Sequence, residues 1–236
     1  MKFGIICAMP EEIKELTAQL TDSKVTTLGD KQYHEGKLSD QAVVLVESGI
    51  GKVEAALTAE HLIVDFGADV VINSGSAGGI GEGLHVGDVV ISTETAYHDV
   101  DVTAFDYAYG QLPAGQPARY KASEKWVKAI EQAGEQTGLT IKRGLIVTGD
   151  QFIASQAQID QIKKHFPDAL SSEMEGAAVA QVATDHEVPY VVVRAMSDTG
   201  DEEANVSFDD FIIEAGKRSA TMLLKLFADL KEGKIA

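Results

Sequence analysis

The run Val191-Val192-Val193-Arg194-Ala195-Met196 constrains the fold more than any other stretch of the chain. From Val188 to Met196 the residues are apolar and rich in β-branched types, interrupted in charge only by Arg194, which predicts a strand buried on both faces of a parallel sheet. Ser197-Asp198-Thr199-Gly200-Asp201 follows as turn chemistry. Asp198 is therefore expected at the carboxyl end of that strand, where open α/β sheets place their ligands. Taken alone, the segment favours an Asx turn at Asp198 and a paired or solvated Arg194 over a functional site.

The rest of the chain alternates strands and helices around this run. Lys2 to Ala8 predicts a first strand, and Pro10-Glu11-Glu12 opens a helix to about Leu20, where first-turn carboxylates suit the helix dipole. A hairpin is expected from Val25 to Leu38 about Gly29-Asp30, then a strand at Ala42–Glu47 and a helix from Val53 to about Val64. Gly51-Lys52 invites a phosphate-loop reading, but Val46 and Val53 stand where that motif needs a glycine and a hydroxyl. Asp69–Asn73 predicts a strand that ends in a loop of small residues, Ser74-Gly75-Ser76-Ala77-Gly78-Gly79. A strand, Val86–Ser92, comes next rather than a helix, so the dinucleotide fingerprint fails.

From His98 to Arg119 the chain is irregular yet carries Val102, Phe105, Tyr107, Tyr109 and Pro113, too apolar for a solvated linker, so it is expected to cover something. His98-Asp99-x-Asp101 lacks the companions of a metal site and fits a local hydrogen-bonding cluster. A helix at Ser123–Gln136, a strand at Ile141–Thr148 and a helix at about Gln156–Phe166 follow. A helix is expected to open at Ser171-Ser172-Glu173-Met174-Glu175-Gly176, with Ser172 and Glu175 spaced as a capping box. Ser207 and Asp210 are expected to cap a last helix running to about Leu230. The pattern predicts a single α/β domain spanning 1–236, a mixed, mainly parallel central sheet flanked by helices on both faces.

A net charge of −17 repels polyanions, which argues against nucleic acid and anionic membrane as partners. The single cysteine, Cys7, lies in an apolar run and fits a core residue of a cytoplasmic protein, and the N-terminal apolar segment is too short for a signal peptide or membrane span. Several strand ends deliver acids and small residues to one rim: Glu12, Ser76, Glu175 and Asp198. Capping needs alone do not explain Phe152, Met9, Ile50, Met174 and Phe208 beside them.

Across almost its full length the chain resembles the 5′-methylthioadenosine/S-adenosylhomocysteine nucleosidases of the nucleoside phosphorylase superfamily. The matching segments are Gly4-Ile5-Ile6-Cys7-Ala8-Met9-Pro10-Glu11-Glu12, Ser48-Gly49-Ile50-Gly51-Lys52-Val53 and Asn73-Ser74-Gly75-Ser76-Ala77-Gly78-Gly79. They continue through 97–105, Glu173-Met174-Glu175-Gly176 and Arg194-Ala195-Met196-Ser197-Asp198; Cys7 stands where the family carries glycine.

The resemblance implies hydrolysis of an N-glycosidic bond, releasing adenine and a 5-thio-substituted ribose, without metal or organic cofactor. It assigns Asp198 as the acid that protonates adenine N7, and Glu12 as the base on water, with Arg194 and Ser76 positioning that water. An ordinary aspartate has a pKa of about 3.9, so keeping one protonated at pH 7 costs roughly 4 kcal/mol. Glu175 would hold the ribose hydroxyls and stabilise the oxocarbenium-like transition state. The resemblance further implies that Phe152, Ile153, Met174 and Ser197 hold the nucleoside and that Met9, Ile50 and Phe208 line the alkylthio end. It implies a homodimer in which Val102, Phe105, Tyr107 and Pro113 close the partner's site. Rival readings are a purine nucleoside phosphorylase, an aminodeoxyfutalosine nucleosidase and a non-catalytic adenosine-binding protein. Phosphorolysis calls for arginines on phosphate, whereas Met9-Pro10-Glu11-Glu12 offers a carboxylate and no base before Lys14.

Overall fold

Alternation along the first strand, Lys2–Cys7 (β1), divides the molecule into two packed layers. Phe3, Ile5 and Cys7 face one core, shared with Leu16, Trp126 and Phe227, while Ile6 faces the other, shared with Tyr33, Leu62 and Val179. The structure, a computed structural model, describes residues 1–199 and 204–235, without the side chains of 204–207. After β1 come Pro10–Ala18 (α1), the hairpin Thr21–Leu28 (β2) and Lys31–Leu38 (β3), then Gln41–Glu47 (β4) and Lys52–Val64 (α2). Val70–Gly79 (β5), Val89–Tyr97 (β6) and the short Tyr120–Lys121 (β7) lead to Glu124–Glu135 (α3), Ile141–Thr148 (β8) and Gln156–His165 (α4). The chain ends with Ala169–Glu173 (β9), Gly176–Asp185 (α5), Tyr190–Asp198 (β10) and Ala204–Lys231 (α6).

The strands form one mixed sheet in the order β10-β6-β8-β9-β5-β1-β4-β3-β2, with β7 on β6 and a further pairing of β10 with β5. The longest ladders, β5–β10 and β6–β8, are parallel. Helices α1, α3 and α6 cover one face, and α2 and α5 the other. The expected α/β architecture is therefore present, and the hairpin, β8 and the irregular stretch between β6 and β7 lie where the sequence places them. Among the described residues no helix is long and apolar enough to cross a membrane.

Three local expectations are corrected. Ser74–Gly79 is not a loop but the second half of β5, because its small side chains admit groups from β10: Arg194 pairs opposite Gly75, and Asp198 opposite Gly78. The predicted cap of Ser172 on Glu175 does not form, since Ser172 belongs to β9 and α5 begins only at Gly176. β10 runs two residues past Met196, through a bulge at Ser197, and Asp198 lies at its carboxyl end as expected. Helix α6 begins at Ala204, which puts Asp210 inside it rather than at its cap; Gly200, Asp201 and the Ser207 side chain lie outside the described residues.

Closure of the sheet was not anticipated. β5 bonds β10 along its length and β9 at its end, through Gly78–Ser172 and Gly79–Ser171, so β5, β10, β6, β8 and β9 close on themselves. Glycines at that end let the strand bend sharply between two neighbours. The bend gathers the carboxyl ends of β5, β9 and β10 at one place.

Candidate active site

At that place lies a cleft lined mainly by apolar side chains with a few convergent polar groups, the make-up of a small-molecule site. Its walls include Met9, Glu12, Ile50, Ser76, Phe152, Ile153, Met174, Glu175, Ser197, Asp198 and Phe208, eleven residues singled out from the sequence and brought together from seven separate segments. Arg194 lies directly behind them, fully buried. Val102, Phe105, Tyr107 and Pro113 do not line it: Phe105 and Pro113 are exposed and the other two half-buried, while Val100, Tyr109 and Leu112 of the same irregular stretch pack over the core instead.

Glu12 does two things at once. Its Oε2 accepts the amides of Ala8 (2.9 Å) and Met9 (3.1 Å), stitching the start of α1 to the end of β1, while Oε1 accepts the amide (2.8 Å) and hydroxyl (2.9 Å) of Ser76. Glu12 thus both holds the start of α1 and lies in the wall of the cleft. Gly75 makes the arrangement possible: a Cβ there would come within 2.6 Å of Glu12 Oε1 and 2.4 Å of Arg194 Nη1.

Arg194 Nη2 donates to Asn73 Oδ1 (2.5 Å), to Glu173 Oε2 and to Glu175 Oε2 (3.2 Å). Burial works against its charge, but Glu173, Glu175 and Glu12 outweigh that and raise its pKa. Glu175 also accepts the Gly51 amide at 2.9 Å. Burial pushes its carboxyl up to about 7; Arg194 opposes the rise, and the charges of Glu173 and Glu12 add to it. Asp198 is almost fully buried, with Ser197 Oγ donating to its Oδ2 at 2.8 Å and Gly78 leaving room for Oδ1. Phe152, on the loop after β8, is partly exposed and meets Phe208 edge-on at 5.6 Å.

Glu173 carries no functional signal in the sequence beyond its place in Glu173-Met174-Glu175-Gly176. It accepts the amides of Glu175 (3.1 Å) and Gly176 (2.8 Å) at the start of α5, the Thr148 hydroxyl and Arg194. This acid, rather than Ser172, satisfies the helix N-terminus. The available signal was an acid two residues ahead of Glu175, where the first free amides of the helix lie. His98 packs against Gly149 and approaches Ser172 Oγ at 3.4 Å; Asp99 pairs with Lys52, and Asp101 holds Thr103. Each member of the His98-Asp99-x-Asp101 group thus has a hydrogen-bonding partner of its own.

The described cleft lining contains Glu12, Glu173, Glu175 and Asp198 and no lysine, arginine or histidine. Such a site suits a ligand that turns cationic as it reacts and opposes an incoming polyanion.

Residues 2–228 match the family model described as the Phosphorylase superfamily. A 5′-methylthioadenosine/S-adenosylhomocysteine nucleosidase of Actinobacillus succinogenes is 49% identical over 231 residues, which cover 98% of this chain and all of the relative. The Streptococcus pneumoniae nucleosidase of that name, solved with the transition-state inhibitor MT-ImmA, superposes with a TM-score of 0.94 at 49% identity, covering 98% of this chain and 100% of the other. An S-adenosylhomocysteine nucleosidase of Streptococcus pyogenes in complex with 5-methylthiotubericidin gives 0.94 at 47%, with 98% and 97% covered.

Proposed function

The chain belongs to the phosphorylase superfamily and, within it, to the 5′-methylthioadenosine/S-adenosylhomocysteine nucleosidases, which are N-glycosidic hydrolases, and on that premise we propose the division of labour in its cleft. The substrates are 5′-methylthioadenosine and S-adenosylhomocysteine, and water is the nucleophile. One observation carries the choice of water over phosphate: four carboxyl groups and no cationic side chain form the described lining. A phosphate dianion entering that space meets carboxyl groups and no cationic side chain on the described lining to hold it.

Breaking the glycosidic bond leaves positive charge on the ribose and negative charge on the departing adenine. Asp198, at the deep end of β10, hands a proton to N7 as the bond lengthens, so adenine leaves neutral. Glu175 in its ionised form holds the ribose hydroxyls and faces the growing positive charge. Glu12 takes the proton from water. All four acceptor positions of Glu12 are filled by Ala8, Met9 and Ser76, and of those donors only the Ser76 hydroxyl can rotate. Water therefore enters at Oε1 by displacing that hydroxyl, which turns to hold the water in line. Phe152 stacks on adenine, and Ile153 and Met174 pack beside it. Ser197 steadies Asp198, and Met9, Ile50 and Phe208 receive the alkylthio group.

The enzyme works as a cytoplasmic homodimer. Exposed Val53, Leu57 and Val64 on one side of α2 and exposed Phe105 support a second copy as the cover for both faces. The decisive experiment incubates the purified protein with methylthioadenosine, with and without phosphate. Free 5-methylthioribose and adenine at a phosphate-independent rate are expected. A sugar 1-phosphate product, or unchanged substrate, overturns the reading.

A further inference from the structure

Two sequence features have no part in the chemistry above: the Gly51-Lys52 pair and Asp99. The fold brings them together. Lys52 Nζ donates to Asp99 Oδ2 at 2.6 Å, and the same Asp99 oxygen accepts the Asp150 amide at 3.0 Å. Asp150 Oδ1 in turn accepts the Lys52 amide at 2.9 Å, closing a ring among residues 47, 51 and 98 positions apart. Lys52 Nζ also lies 5.5 Å from the centre of the Tyr97 ring.

Each member of this ring adjoins a working part of the cleft. Gly51, immediately before Lys52, donates to Glu175, and Ile50 lines the cleft. Gln151, Phe152 and Ile153, immediately after Asp150, form the wall assigned to the base. Asp99 opens the irregular stretch that carries Phe105. Gly51 has φ of 101°, which disfavours any other residue, and a Cβ there would lie 3.2 Å from Asp150 Oδ1, so the two loops are in tight contact.

We propose that Lys52, Asp99 and Asp150 are positioning residues, a latch that fixes the ribose-holding loop before α2 against the base-stacking loop after β8. The proposal rests on the nucleosidase reading for the identity of the two ligand parts. An isolated surface ion pair adds little. This one differs in that its carboxylates also satisfy two backbone amides, and that Asp99 Oδ1 is buried with no hydrogen-bond partner among the described residues. Asp99 thus depends on Lys52 for compensation, and losing Lys52 frees both loops together. The latch acts on how the nucleoside is received rather than on the bond-breaking step. Its loss is therefore read mainly in KM.

The test uses Lys52→Met, Lys52→Arg, Asp99→Asn and the double variant Lys52→Met/Asp99→Asn. For methylthioadenosine, Lys52→Met is expected to raise KM about tenfold, equivalent to about 1.4 kcal/mol, with kcat changed much less. Lys52→Arg recovers part of the loss, and the double variant is no worse than the poorer single one. Independently of turnover, amide hydrogen exchange of the ligand-free protein is expected to rise in both 48–52 and 149–153 in Lys52→Met. Unchanged KM, equal losses in kcat and 1/KM, losses that multiply in the double variant, or faster exchange in one loop alone each overturn the latch. Should Lys52→Met fail to fold, Asp99→Asn carries the same readouts. Should the unmodified enzyme leave methylthioadenosine intact, the functional reading fails, while the exchange result still decides whether the latch exists.

Discussion

Glu173 and Arg194 are joined inside the protein, with the guanidinium Nη2 shared between Glu173 and Glu175. Both oxygens of Glu173 act as acceptors, from Thr148, from the first amides of α5 and from Arg194, and each faces at least one N–H that can only donate. Glu173→Gln must therefore turn an amide N–H toward another donor in either orientation. The expected cost is about 3 kcal/mol, that of breaking a buried charged network by removing one partner. Urea denaturation of the two proteins measures it, and a loss below about 0.5 kcal/mol, typical of surface changes, would contradict the network.

The pH dependence of catalysis should report Glu175. With its carboxyl pushed up to about 7 by burial, the group is ionised above that pH and neutral below it. The ionised form is the one that stabilises positive charge on the ribose, so kcat/KM is expected to fall as pH drops through about 7. Stability moves the other way. The folded pKa lies above the unfolded value of about 4.3, so between these limits the folded protein binds more protons, and stability declines as pH rises. The decline contributed by this group amounts to at most about 4 kcal/mol. Glu175→Gln should flatten the acid limb of a weak residual activity. Its melting temperature relative to the unmodified protein should improve from pH 5 to pH 8, and a parallel pair of melting curves would count against the assignment.

What the sequence disclosed and what it concealed divide along physical lines. β1, α2 and β8 were legible because apolar periodicity and terminal punctuation agree, and Pro10-Glu11-Glu12 announced α1 together with its buried carboxylate. β9, with the sequence Ala-Leu-Ser-Ser-Glu, carries little apolar signal and is a strand because β8 and β5 lie beside it. Ser74–Gly79 reads as a loop until Arg194 and Asp198 are seen to need the missing side chains. The Ser172–Glu175 spacing pointed to a cap that Glu173 supplies instead, since β9 holds Ser172 away from the helix axis. Closure of the sheet depends on pairings about 90 residues apart and has no local signature.

The apolar side of α2 bears on the assembly. Val53, Leu57 and Val64 are more than half exposed at helical spacing, and Phe105 is 75% exposed. Burying such side chains is worth about 1.5–3 kcal/mol each. The unmodified protein is expected to sediment as a dimer and the double variant Val53→Glu/Leu57→Glu as a monomer. If a partner's Phe105 and neighbouring residues complete each cleft, that monomer loses about tenfold or more in kcat/KM, a value matching the loss of one such contact. A fully active monomer would separate the exposed face from catalysis.

Asp198 sits opposite Gly78, beyond the bulge at Ser197, with the Ser197 hydroxyl on its Oδ2. Asp198→Asn keeps the shape and hydrogen-bonding capacity of the side chain but cannot deliver an acidic proton. If the proton to N7 is what lets adenine leave, the variant should lose on the order of 10²–10⁴-fold in kcat, the usual weight of a positioned acid, while methylthioadenosine still binds. A substrate whose leaving group needs no proton, such as a 4-nitrophenyl thioriboside, separates this role from a structural one. Its hydrolysis by Asp198→Asn should stay near that of the unmodified enzyme, because Glu12, Ser76 and Glu175 are untouched. Equal losses on both substrates would show that the substitution disturbs the cleft itself, and Asp198 would then have to be struck off as the acid.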